Sequence, residues 1–392
     1  MNQPQLSDFQ KIGILVMQHH NIEVFKKLVD QMDNVNKPFL EGYPLIHMAI
    51  DYGFSDGVKY LLEKGCNPNL IAPNGKTPLC YAAHKRDALL CEELIKKGAD
   101  VNKTTYDETT PLLEAVFSNS LEVANILLAN KANPNFKYGK EEYPLICGAI
   151  ATENIDMLNL LVKSGANVNA AGNIGQTALH VAASTGYVEG IATLLNEFGA
   201  NINAKDINGQ TPLHIATLCN QTNSVVNLLH YKADALSTND DGKTCLDLAI
   251  ENKNPFLFQL LYDSAINNHP TPDKKFDKIL FTAAKHNDRD AIVYLSECIE
   301  NINYQNEDGD TALHLAARNK SLATIEALVH FKADINIQNN EGKSPINILK
   351  EANEEELINF AMNKFITIQA QQKSKLSDII KANKAQDNRQ KD

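Results

Sequence analysis

Thr211-Pro212-Leu213-His214 decides how this chain is read, because the same tetrapeptide returns along it at a fixed interval. Close copies are Thr77-Pro78-Leu79-Cys80, Thr110-Pro111-Leu112-Leu113, Thr177-Ala178-Leu179-His180 and Thr311-Ala312-Leu313-His314. Weaker copies begin at Lys11, Pro44, Pro144, Thr244, Lys278 and Ser344, and successive starts lie 33 or 34 residues apart. A fixed period of this size marks stacked repeats, in which each unit buries its apolar face against its neighbours. Within the unit that starts at Thr211, the Thr hydroxyl is placed to cap a helix and Pro212 sits at the first helical position, where its missing N–H costs nothing. Leu213 and Ala216 point inward, and His214 bonds within its own turn and toward the next repeat. After a polar turn at Cys219 to Asn223, Val225, Val226, Leu228 and Leu229 give a second helix with one buried face. Gly242, with Gly42, Gly75, Gly175, Gly209, Gly309 and Gly342 in the same place, fits a hairpin turn that needs positive φ.

The tetrapeptide and its period resemble the signature of the ankyrin-repeat family over roughly residues 7–365. The resemblance implies an all-α repeat solenoid of helix–turn–helix units with short β-hairpin fingers. Eleven units are counted. Residues 1–43 read as an N-terminal capping repeat and 44–264 as ankyrin repeats. The stretch 265–277 reads as an irregular finger and possible hinge, since it has two prolines and no turn glycine. Residues 278–365 form the C-terminal repeats and cap, and 366–392 a polar basic tail. Terminal repeats are expected to carry a polar outer face. Several units end in a run such as Asp100-Val101-Asn102 or Asp334-Ile335-Asn336, whose Asn side chain is expected to bond backbone in the turn; in the family such asparagines can be hydroxylated.

The formal charge of −11 argues against a sequence-independent grip on nucleic acid and against adhesion to anionic membranes. No run approaches the length of a membrane span, and no secretory leader of the usual kind is read. Seven cysteines, with no Cys-x-x-Cys pair, point to a reducing, cytoplasmic setting without disulfides or zinc. No phosphate loop, nucleophile elbow or His-Glu-x-x-His is present, so no catalytic residue, metal or cofactor is expected. The histidines His47, His180, His214 and His314 share one repeat position and read as structural.

Function is therefore sought on the surface. In the resembling family, partners are held by hairpin tips and the exposed end of the first helix on a concave face. Those positions here carry Tyr43, Tyr52, Tyr106, Phe117 and Tyr143, with Tyr138 in the same finger as Tyr143. Large aromatic side chains bury much area at low entropic cost and are enriched at interface centres. The same positions later in the chain give an acidic rim of Asp240, Asp241, Glu251, Asp308 and Asp310. The reading is a non-enzymatic, monomeric scaffold for a partner protein. The alternative is an effector that an intracellular bacterium delivers into the host cytoplasm, and an enzyme with an unrecognised site is the second alternative.

Overall fold

The computed structural model of the chain describes residues 7–268 and 274–371. It separates into two compact units, residues 1–207 and 208–392. The first unit opens with α1 (Asp8–Gln18) and α2 (Ile22–Asp30), followed by a hairpin of β1 (Pro38–Leu40) and β2 (Tyr43–Pro44). Helix pairs follow: α3 (Leu45–Asp51) with α4 (Ser55–Glu63), α5 (Pro78–His84) with α6 (Ala88–Lys96), and α7 (Pro111–Phe117) with α8 (Leu121–Ala129). A second hairpin, β3 (Lys137–Tyr138) and β4 (Tyr143–Pro144), precedes α9 (Leu145–Ala151), α10 (Ile155–Lys163), α11 (Ala178–Thr185) and α12 (Val188–Asn196). Both hairpins are antiparallel, and Tyr138 stands opposite Tyr143.

The second unit holds α13 (Pro212–Leu218), α14 (Thr222–His230), α15 (Cys245–Glu251), α16 (Pro255–Asn268), α17 (Lys274–His286), α18 (Arg289–Ser296), α19 (Ala312–Arg318), α20 (Leu322–His330) and α21 (Pro345–Glu351). A last helical run, α22, covers 355–371 of the described residues. Residues 372–392 of the expected basic tail lie outside the described residues. The chain is thus the all-α repeat that the period implies, with strands confined to two fingers among the described residues.

The repeat physics follows the tetrapeptide. The hydroxyls of Thr77, Thr110, Thr211 and Thr244 accept from the backbone N–H of the third residue on, at 3.2–3.4 Å, which satisfies a donor that the helix start leaves open. Leu79, Leu112, Leu179, Leu213, Leu246 and Leu313 are all buried, and first helices of successive repeats pack on one another within each unit (α3 on α5, α5 on α7, α7 on α9, α9 on α11; α13 on α15, α15 on α17, α17 on α19, α19 on α21). In α14, Val225 and Leu228 are buried but Val226 is about half exposed, so the buried stripe of that second helix is narrower than its apolar content.

Asparagine joins the loops. Asn69, Asn102 and Asn135 each accept from a backbone N–H of the next loop (Asp100, Asn133 and Asn167, all 2.8 Å) and donate to a carbonyl there (Gly98, Lys131 and Gly165, 2.9–3.0 Å). Leu236 takes that place in the second unit; it is fully buried, and the Lys275 ammonium donates to its carbonyl at 3.0 Å.

Two expectations differ from what is found. The irregular finger expected over 265–277 is helical at both described ends, since α16 runs to Asn268 and α17 begins at Lys274; residues 269–273 lie outside the described residues. The cause is apolar spacing. Leu257, Phe258, Leu261, Tyr262 and Ala265 form one buried stripe that carries α16 past its usual length, and Phe276, Ile279, Leu280, Ala283 and Ala284 do the same for α17. The division between compact units falls at Ile207/Asn208. The outer face of α1 is mixed instead of polar: Phe9, Ile12 and Leu15 are exposed along it beside Asp8, Lys11 and Gln18.

Glycine is needed where a finger meets the next one. Gly209 has φ +68°, and a Cβ there would stand 2.8 Å from the backbone nitrogen of Asp240, whose N–H donates to the Asn208 carbonyl. Two fingers place glutamate in the equivalent position: Glu108 at φ +58° and Glu142 at φ +50°. A non-glycine residue there carries strain on the order of 1 kcal/mol. Glu108→Gly is therefore expected to stabilise the chain by roughly 1 kcal/mol, read as a higher urea midpoint. A midpoint that stays or falls counts against strain at this finger.

Candidate functional site

The six aromatic side chains singled out by position all lie in the first unit. Tyr43 ends the first hairpin and Tyr52 caps α3, one helix length later. Tyr81, at the fourth residue after Thr77 on α5, joins them, and with His47 and Asp51 they line a cavity of about 180 Å³. The His47 and Tyr81 rings meet edge-on at 5.3 Å between centroids. Sequence reading missed Tyr81, because its place in the repeat points toward the preceding unit and reads as packing. The signal available was its distance from Tyr43 and Tyr52 in the period.

The second group is Phe117, Tyr138 and Tyr143. Phe117 ends α7, and its ring meets that of Tyr138 edge-on at 5.4 Å. Tyr138 and Tyr143 face each other across the second hairpin at 6.3 Å. Burial pushes the Tyr138 and Tyr143 hydroxyls up from their ordinary pKa, and the Tyr143 hydroxyl donates to the Gln176 side chain at 3.4 Å. Tyr106 stands apart: it is 75% exposed, and its ring and backbone N crowd the space above Gly75 of the preceding finger. The structure thus resolves the expected row into two clusters and one projecting ring. Tyr106, Phe117 (48%) and Tyr52 (37%) are exposed, whereas Tyr43, Tyr138 and Tyr143 are half-buried.

Between the clusters sits a buried carboxylate that sequence reading did not single out. Glu114 of α7 pairs with the Lys76 ammonium and takes His84 Nδ1 at 3.1 Å on its other oxygen. Burial opposes charge on Lys76, but the Glu114 carboxylate outweighs it and raises the lysine above its ordinary value.

The acidic rim of the second unit is only in part a rim. Asp240, Asp241 and Asp308 are exposed. Glu251 is half-buried and paired with Lys243 at 2.8 Å. Asp310 is not on the rim at all. It is buried, held by both terminal nitrogens of Arg318, and accepts from Asn339 Nδ2 at 2.8 Å. Burial alone would raise its carboxyl; the Arg318 and Asn339 bonds outweigh that and hold it below the usual carboxylate range. The turn preceding Thr311 directs this side chain inward, toward the arginine eight residues on.

Elsewhere the chemistry is quiet. All seven cysteines are free. Burial pushes the Cys80 thiol up to about 11 and those of Cys66, Cys91 and Cys147 up to about 12, and it raises Cys245 as well, so these are poor nucleophiles. Among the described residues there is no group of three or more His, Cys, Asp or Glu placed to hold a metal ion. No described helix is long and apolar enough to cross a membrane.

Comparison with known proteins follows the repeats. The model for ankyrin repeats (3 copies) matches residues 46–138, 112–206, 198–272 and 280–372. Similar proteins include the ankyrin repeat protein FPV022 of fowlpox virus (28% identical over 129 residues, 32% of this chain and 22% of that protein). An ankyrin repeat protein of Rickettsia bellii is 31% identical over 116 residues, 28% of this chain and 33% of its own length. The mouse B-cell lymphoma 3 protein homolog is 26% identical over 107 residues, 27% of this chain and 24% of its own. The chain therefore spans a third or less of the length of these relatives. The crystal structure of the ankyrin repeat domain of Bcl-3 superposes with a TM-score of 0.51 at 22% identity, covering 58% of this chain and 99% of that one, and shows the shared fold. With family matches running from residue 46 to 372 over capped, stacked helix pairs, this chain belongs to the ankyrin-repeat family.

Proposed function

We propose that this chain is a non-enzymatic scaffold that holds a segment of a partner protein on the finger and first-helix face of its first unit. The observation that carries this reading is the exposure of Tyr106 on its finger and of Tyr52 and Phe117 at the ends of α3 and α7, helices whose Leu45, Ile46, Ile50, Leu112, Leu113 and Val116 are buried. Rings exposed beside the half-buried Tyr43, Tyr138 and Tyr143 give a partner large apolar contacts on a backbone that is already ordered, which lowers the entropic cost of binding. The exposed Asp240, Asp241 and Asp308 of the second unit offer a further place for a basic segment, whose contribution would weaken with salt. The free, largely buried cysteines fit a reducing, cytoplasmic compartment. The relatives come from viruses, animals and a bacterium, so they lend the effector alternative no particular support.

The test is affinity capture from lysate with the full chain and with a Tyr52→Ala/Phe117→Ala variant, the recovered proteins being identified by mass spectrometry. Each truncation at an interface centre costs on the order of 1–2 kcal/mol, so recovery should fall by about tenfold or more. The melting temperature should stay within a few degrees, since both side chains are exposed. Equal recovery by both baits, or a sharp fall in melting temperature, would rule this face out.

A further inference from the structure

The cavity between the first hairpin, α3 and α5 has a chemistry of its own. Three tyrosine rings, Tyr43, Tyr52 and Tyr81, line about 180 Å³ of space, with the carboxylates of Glu41 and Asp51 also on its wall. Aromatic faces carry negative charge density and attract cations, and a nearby carboxylate adds to that. The histidine in the wall does not oppose a cation. His47 is buried, its Nε2–H donates to the Lys76 carbonyl at 3.0 Å, and its Nδ1 has no partner. The ring is therefore neutral, with its Nδ1 lone pair shut away from solvent. The groups facing Asp51 also include a cation of the chain itself: Lys85, at the end of α5, reaches its carboxylate at 2.8 Å, and both side chains are largely exposed. An ammonium is thus already accommodated at the mouth, on a pair that solvent can open.

We infer that this cavity receives the side chain of a lysine from the partner protein, its ammonium exchanging with Lys85 on Asp51 and its stem lying among the three rings. This rests on the reading of the first unit as a protein-binding face. Lysine fits better than arginine because a single stem and a compact charge suit a narrow cavity, whereas a planar guanidinium seeks two free oxygens.

The experiment uses the full chain with isotope-labelled tyrosine, the three tyrosine signals being assigned through Tyr→Phe variants. It is titrated with Nα-acetyl-lysine methylamide, with the norleucine analogue that lacks the charge, and with the arginine analogue. The lysine compound should move the Tyr43, Tyr52 and Tyr81 signals with a Kd on the order of millimolar, and norleucine should bind about tenfold more weakly. Lys85→Met should tighten lysine binding several-fold by releasing Asp51, and Asp51→Asn should weaken it. Equal binding of lysine and norleucine would make the cavity merely apolar and overturn the inference; so would tighter binding of arginine, or signals that stay fixed throughout. If the signals stay fixed while capture of a partner still depends on Tyr52 and Phe117, only the lysine cavity falls. If capture fails as well, the binding face falls with it.

Discussion

Asp310→Ala is expected to destabilise the chain by about 2–3 kcal/mol, among the largest single effects on the second unit. The carboxylate is buried, and it takes both terminal nitrogens of Arg318 and the side-chain amide of Asn339. Removing one partner of a buried pair leaves the others uncompensated, which costs about 3–5 kcal/mol when both charges are buried. Arg318 keeps 42% of its side chain exposed against 3% for Asp310, so the arginine can turn to water and part of that cost is recovered. Asn339 has no such escape, because it is buried in the next finger and its carbonyl oxygen already serves the backbone of Glu341 and Lys343. Arg318→Met should cost at least as much as Asp310→Ala, because it leaves the buried carboxylate with the Asn339 amide but no cation. The double variant should show a coupling of about 1–2 kcal/mol in urea unfolding. The sign with pH is set by the carboxyl, which lies below its unfolded value. Its contribution is present above about pH 4 and is lost as pH falls further, so the gap between wild type and Asp310→Ala should narrow in acid. A loss within about 0.5 kcal/mol at neutral pH would show that the pair adds nothing net.

How much of this could be read from the residues differs between the local and the nonlocal. The Thr-Pro caps, the inward leucines and the histidine bonds recur because each is set within one repeat or between adjacent repeats, and the period states both. His214 shows it: Nδ1 meets the Thr211 backbone and hydroxyl, and Nε2 meets the Lys243 carbonyl 29 residues on. For the asparagines only the position was legible: Asn102 was expected to bond backbone in its own turn, and its side chain instead joins Lys131 and Asn133 of the next loop. Asp310 was not legible, because the equivalent residue is half-buried in the other fingers, as at Lys76, Gln210 and Lys243, and the pairing with Arg318 belongs to this unit. Helix length at α16 and α17 was missed for a different reason: two prolines and the absent turn glycine outweighed an apolar stripe that runs on through Ala265 and resumes at Phe276. The aromatic residues were placed correctly on fingers and helix ends, but side-chain direction decides whether neighbours such as Phe117 and Tyr138 meet, and position alone does not fix it.

Acidification from pH 6.5 to 4 should cost the chain about 3 kcal/mol through His47 alone. The argument starts from a substitution in the repeat. In the units of Thr177, Thr211 and Thr311, the histidine Nδ1 accepts from the threonine backbone N–H at 3.0–3.3 Å and lies 2.8–2.9 Å from its hydroxyl. The first helix α3 begins instead after Pro44, which has neither an N–H nor a hydroxyl, and His47 Nδ1 is left without a partner. Nothing in that setting replaces the water a charged imidazolium would need. Burial accordingly pushes His47 down to about 4, against the bonds to the backbone carbonyls of Lys76 and Leu70. A folded pKa below the unfolded value means that the unfolded chain binds the proton first. Stability is full above about pH 6.5 and is lost progressively as pH falls toward 4, by about 1.4 kcal/mol per unit of difference. His47→Gln keeps a donor for the Lys76 carbonyl and removes the titration. It should cost about 1 kcal/mol at pH 7, yet lose markedly less than wild type between pH 6.5 and 4, so that the two urea midpoints converge or cross. His314 is depressed by burial too and remains in both proteins, so it contributes to the shared slope and not to the difference. Parallel pH profiles for wild type and His47→Gln would show that the ring finds a partner for its proton in the folded chain, and the neutral-histidine account of this repeat would fail.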